Sequence, residues 1–104
     1  MRMFEDRQER SVRFTEERLE HLLESHPEMH GQLDRVAETL REPEIVVRSR
    51  ADSEVELCYR EYSKTPVTRK FLCAVVKGRD EDPFLITAYF TDSVKRGEVL
   101  WEKP

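Results

Sequence analysis

At Pro43 the hydrophobic rhythm of the chain changes, and this break limits the fold more than any other feature. Before it, apolar residues recur at helical intervals. Leu19, Leu22 and Leu23 form one stripe, and Met29, Leu33, Val36 and Leu40 follow at spacings of 4, 3 and 4. After it, the segments alternate or run apolar over strand lengths and are joined by short polar loops. Helices followed by consecutive strands predict an α+β fold, with two N-terminal helices packed on one face of an antiparallel sheet of about four to five strands. A parallel sheet needs long crossovers, which these short loops do not supply.

The first helix is predicted over 16–25. Thr15 is placed to cap it, and Glu16 and Glu17 suit the positive end of its dipole. Pro27 stops it and disfavours a helical His26. The second helix is predicted over 28–41. Strands are expected at 44–50, 54–62, 69–78, 84–91 and 98–101, with a short edge strand at 11–14. Residues 1–11 are mostly charged or polar and read as a flexible lead-in. Residues 12–104 then form a single domain, which suits a chain of 104 residues.

No apolar run reaches the roughly 20 residues of a membrane span, and the first residues lack the apolar core of a secretory signal. A cytoplasmic protein with no membrane partner is therefore expected. Cys58 and Cys73 lack disulfide-scaffold or zinc spacing and read as buried small hydrophobes; no metal or other cofactor is expected. Net charge is −4, against a protein that coats nucleic acid indiscriminately. Its distribution is uneven: residues 1–44 balance at −5, residues 45–79 at +4 and residues 80–104 at −3. The central third is thus where an anion site is expected.

All three histidines, His21, His26 and His30, fall within ten residues around Pro27. Histidine is the side chain whose charge ordinarily changes near neutral pH. His26 continues the apolar stripe of the first helix, so it should face inward, as a general acid or base or as a corner residue bonded to backbone. His21 lies about 140° around the helix from it, and His30 should be on the surface. Alternation puts Arg48 and Arg50 on one face, where they either share an anion or remain two solvated charges. Arg69 and Lys70 open the central strand. On the 84–91 strand, Phe84, Ile86, Ala88 and Phe90 are expected toward the helices. Leu85, Thr87, Tyr89 and Thr91 are expected on the far face, as phosphate-orienting hydroxyls or simply as good strand formers. Tyr59, mid-strand, reads as a core tyrosine or a substrate contact.

The His-Pro-Glu-Met corner, "VVRSR", "LCYREY", "RKFLCAVVK" and above all "ITAYFTDSVKRGEVLW" resemble small phage- and bacteria-associated domains of the barnase–EndoU–colicin–RelE-like (BECR) nuclease superfamily. The resemblance spans roughly residues 12–101. It implies a metal-independent, toxin-like or RNA-processing ribonuclease in which the RNA 2′-hydroxyl attacks the adjacent phosphate. On that resemblance His26 or His21 is base or acid, and Arg50 and Lys70, with Arg48, neutralise phosphate. Thr87 orients it, with Tyr59, Tyr89 and Thr91 as substrate contacts. RNA is the implied partner, with room for a protein inhibitor or antitoxin. The acidity of this chain departs from the basic character of many such toxins. The alternative is a non-catalytic interaction module on the same scaffold.

Overall fold

A computed structural model describes residues 1–68, 70–78 and 81–104. Its strands are β1 (Arg2–Glu5), β2 (Ser11–Phe14), β3 (Ile45–Arg48), β4 (Val55–Glu61), β5 (Phe71–Lys77), β6 (Phe84–Thr91) and β7 (Val99–Glu102). Two α-helices, α1 (Glu16–Ser25) and α2 (Leu33–Arg41), lie between β2 and β3, separated by a 3-10 turn at Pro27–Met29. The fold is α+β, as expected. Among the described residues no helix is long and apolar enough to cross a membrane.

Local chemistry explains the helical half. The Thr15 hydroxyl accepts from the Arg18 N–H at 3.2 Å and starts α1. His26, forced out of the helical region by Pro27, sits at φ −134° and ψ 74°. The predicted 28–41 helix is divided, because Gly31 adopts φ +78° and no helix continues through a left-handed residue. Its apolar face nevertheless survives the break. Met29, Val36 and Leu40 are buried, and Leu33 packs against them.

The sheet differs from expectation in size and in direction. Among the described residues it has seven strands in the order β1-β2-β6-β5-β4-β3-β7, and β2 runs parallel to β6 through the pair Arg13–Phe84. The other pairings are antiparallel. Short loops do forbid parallel neighbours, but β2 and β6 are separated by both helices and three strands, and that whole segment is the crossover. Nor does the lead-in lack structure. Arg2–Glu5 pairs in register with Ser11–Phe14, and Phe4 packs on the core. The intervening turn is tied by Asp6, whose carboxylate accepts from the Gln8 and Arg10 N–H groups and pairs with the Arg10 guanidinium at 2.7 Å. Arg10 reaches on to buried Glu56 of β4 at 3.4 Å. That polar sequence owes its order to charge pairs rather than apolar periodicity.

The same turn reveals the curl of the sheet. The Arg7 guanidinium lies 5.3 Å from the Trp101 ring on β7. Five strand spacings separate β2 from β7, about 24 Å if the sheet were flat. The two edges are therefore drawn toward each other over the helix-side core.

That core contains Phe14, Leu22, Met29, Val36, Leu40, Leu72, Leu85, Ala88 and Phe90. A second cluster lies on the other face: Val47, Val55, Leu57, Tyr59 and Cys73, flanked by Ile86, Tyr89 and Val94. Ala88 and Phe90 face the helices as expected, but Leu85 and Ile86 exchange sides. A bulge between Val75 and Val76, where the partner shifts from Thr87 to Leu85, is the cause.

Candidate functional site

Ile45, Tyr59, Cys73 and Tyr89 are successive cross-strand partners on β3, β4, β5 and β6. They form a row on the helix-free face. The chain after β6 returns over this row: the Lys95 N–H donates to the Tyr59 hydroxyl at 3.1 Å. Burial pushes the Cys73 thiol up from 9.0 to about 11, opposed by hydrogen bonding with Tyr89 and Tyr59 and by the Lys95 charge. Burial also raises both tyrosine hydroxyls, so each keeps its proton at neutral pH. Cys58, on the helix side, is likewise buried and raised.

His26 joins the end of this row. Its ring stacks on Tyr89 with centroids 5.5 Å apart and planes at 27°. Access depends on the short parallel contact: β2 pairs with β6 only near Phe84, then turns into α1. The far half of β6 keeps a free edge there, and the corner after α1 occupies it. His26 Nδ1 lies 3.3 Å from a Glu28 carboxylate oxygen, and its side chain is 31% exposed. Nε2 is thus the nitrogen left for chemistry. Thr87 and Thr91 flank Tyr89 at alternate positions of β6 and are half-buried. The Thr91 hydroxyl closes a local turn with the backbone of Ser93.

The other expected residues do not converge there. His21 is exposed on α1, 3.8 Å from Glu17. Arg48 pairs with Glu98 at 3.1 Å, in the row that crosses Glu56, Val76 and Leu85. Three strand spacings and three residues separate it from Tyr89, about 17 Å along the sheet. Arg50 is exposed in the bend beyond β3, so the two arginines do not share a strand face. Lys70 is exposed at the His26 end of the sheet, but in alternation with Leu72, which belongs to the helix side. Arg69 lies outside the described residues. Tyr59 is 1% exposed and is a core residue, not a substrate contact.

Sequence reasoning missed two features. Lys95 lies in a short polar loop with no motif to mark it, yet its charge reaches Cys73. The second is a cleft of about 360 Å³ lined by Arg7, Arg41, Glu42, Pro43, Arg60, Trp101 and Lys103. Those residues come from four separate parts of the chain, so no local pattern announces them. Comparison with known protein families, curated proteins and solved structures finds no match.

Proposed function

We propose that the chain is a metal-independent ribonuclease whose reaction centre is His26 against Tyr89. The observation that carries this reading is the stack itself, an imidazole brought around a free sheet edge onto a face bearing Thr87, Thr91 and the Lys95 loop. The resemblance to BECR domains supports it independently. In this mechanism Nε2 of His26 takes the proton of the RNA 2′-hydroxyl, and Glu28 holds the imidazole orientation through Nδ1. The 2′-oxygen attacks phosphorus, the bond to the 5′-oxygen breaks, and that oxygen takes a proton from water while His26 returns its own proton to solvent. Lys95 faces the charge that builds on the phosphorane oxygens. Thr87, Tyr89 and Thr91 orient the phosphate, the tyrosine acting as a neutral donor. Neither His21 nor Arg48 and Arg50 have a role in this version.

Purified protein incubated with labelled RNA in EDTA is expected to give 2′,3′-cyclic phosphate and 5′-hydroxyl ends. His26→Ala should lower the rate by about 10²-fold or more, the usual scale for a general acid–base group. Equal rates for wild type and His26→Ala would overturn the assignment. A second reading, a non-catalytic interaction module, is favoured by one observation: Arg48, paired with Glu98, lies far from His26. Under that reading RNA is bound and recovered intact.

A further inference from the structure

We infer that the cleft around Trp101 is a binding site for single-stranded RNA, separate from the His26 centre. Four cations, Arg7, Arg41, Arg60 and Lys103, line it against one carboxylate, Glu42, in a chain whose net charge is −4. Such local reversal of sign focuses anions. The aromatic floor is the chain's single tryptophan, which packs on the core through one side. The Arg7 guanidinium covers its ring at 5.3 Å.

The cations divide into two kinds. Arg41 is held by Glu5 at 2.7 Å, and Arg60 by the Glu42 carbonyl at 2.7 Å and the Glu38 carboxylate at 3.4 Å. These two are fixed and partly neutralised. Arg7 and Lys103 have no carboxylate partner among the described residues. Two cations free of carboxylate partners beside an aromatic ring match a strand whose phosphates meet Arg7 and Lys103 while a base lies on the arginine–tryptophan stack. Indole and guanidinium planes are the platforms on which unpaired bases stack. Beside the cleft, Arg35 and Arg60 lie over the Tyr62 ring at 4.7 and 5.9 Å, a second aromatic–cation set.

The preference for RNA rests on the ribonuclease reading; the cleft's affinity for a single strand does not. Trp101 packs on the helix side of the sheet and Tyr89 belongs to the opposite face, so the cleft and the His26 stack are separate surfaces.

The test uses a ten-nucleotide single-stranded RNA bound to the His26→Ala protein, which keeps the cleft intact and prevents cleavage. Binding is read by quenching of Trp101 fluorescence and by anisotropy of labelled RNA. Saturable quenching that weakens with salt is expected, with duplex RNA, inorganic phosphate and a polyglutamate peptide binding at least tenfold more weakly. Arg7→Gln combined with Lys103→Gln should weaken binding tenfold or more. It should also make the log–log salt slope shallower by about 1.4, two contacts at roughly 0.7 each. Trp101→Phe, followed by anisotropy, should weaken it less than Trp101→Leu, because the phenyl ring still stacks. Unchanged affinity and slope in the double variant, absence of Trp101 quenching, or equal binding of polyglutamate would each overturn the inference. The two readings fail separately. RNA that the wild-type protein binds tightly but leaves uncleaved sinks the ribonuclease and keeps the cleft. Cleavage with affinity indifferent to Arg7 and Lys103 sinks the cleft and keeps the ribonuclease.

Discussion

Gly97 holds the loop that bears Lys95 against the sheet, and Gly97→Ala should lift it. A β-carbon built at this position meets the Arg48 carbonyl oxygen at 2.4 Å and Val47 Cγ1 at 2.7 Å. Ordinary carbon–carbon contact needs about 3.5–4.0 Å, so roughly 1 Å is missing. β3 does not recede. It is paired on both sides, by β4 and β7, and the Arg48 N–H donates to the Glu98 carbonyl at 2.8 Å. The loop must move instead. Displacement of that size stretches the 3.1 Å bond from the Lys95 N–H to the Tyr59 hydroxyl beyond hydrogen-bonding range. Overpacking costs about 1–3 kcal/mol, and the lost hydrogen bond adds about 0.5–1.5 kcal/mol. Gly97 is not in the left-handed region, so backbone strain adds nothing. The entropy lost by the unfolded chain returns only about 0.4–1 kcal/mol. The net expectation is a loss of about 1–3 kcal/mol.

Urea unfolding followed by far-ultraviolet circular dichroism measures this. With a slope near 2 kcal/mol/M the midpoint should fall by about 0.5–1.5 M. The mechanism, as distinct from the size, is tested by a cycle with Tyr59→Phe. In the wild type that substitution removes the acceptor and should cost about 1 kcal/mol. In the Gly97→Ala background the Lys95 bond is already broken, and the cost should fall to what the contact of Tyr59 with Cys73 contributes. A midpoint shift below about 0.2 M, or an equal cost of Tyr59→Phe in both backgrounds, would refute the reasoning. Cleavage should fall in parallel, because Lys95 moves with the loop.

Two further expectations concern pH. The Cys73 thiol is raised from 9.0 to about 11 by burial, and the Tyr59 and Tyr89 hydroxyls are raised with it. Groups raised on folding stabilise fully below their unfolded values and lose that contribution as pH climbs through the folded ones. Stability should therefore decline between pH 9 and about 11, and Cys73→Ala should flatten the decline in a pH series of urea midpoints; an unchanged slope would contradict it. At the acid end, Asp52 is lowered by the Glu54 N–H and by Lys77 at 2.9 Å. A lowered carboxyl stabilises above its unfolded value and loses that as pH falls below it. Asp52→Asn should shallow the acid limb below about pH 4, and an identical limb would contradict it.

Legibility of the fold followed the kind of force that builds each element. The helix over 16–25 and the strand over 84–91 match α1 and β6 residue for residue, because capping, proline and apolar period act locally. β1 was illegible because the hairpin turn is organised by Asp6 and Arg10, with one rung of support from distant Glu56. The exchange of Leu85 and Ile86 was illegible for a different reason. A bulge adds one residue to one strand, and both orders of those two apolar side chains satisfy alternation equally well. The corner at His26 was legible because Pro27 fixes its backbone. Arg48 was misplaced because a face assignment gives no position along the strand, and Glu98, fifty residues on, decides its partner.

The position of His26 follows from how little β2 shares with β6. Antiparallel β5 covers one side of β6 along its length, from Phe84–Lys77 to Thr91–Phe71. On the other side β2 contributes the pair Arg13–Phe84 and then turns into α1 at Thr15. A β2 longer by four residues would reach about 13 Å further along β6, as far as Ala88, and would occupy the edge now taken by the corner after α1. His26 could then meet the sheet only from the helix side, where Ala88 and Phe90 fill the core, and Tyr89 would be closed to it. Thr15, by capping α1 where it does, therefore ends the strand and opens the edge in one step. Moving that start signal later in the chain should abolish the His26–Tyr89 stack while leaving the core residues unchanged. Loss of the contact between the His26 ring and Tyr89 in nuclear Overhauser spectra, with the Leu22 and Phe90 contacts retained, is the result expected. A retained stack would mean that the corner, not the length of β2, governs the site.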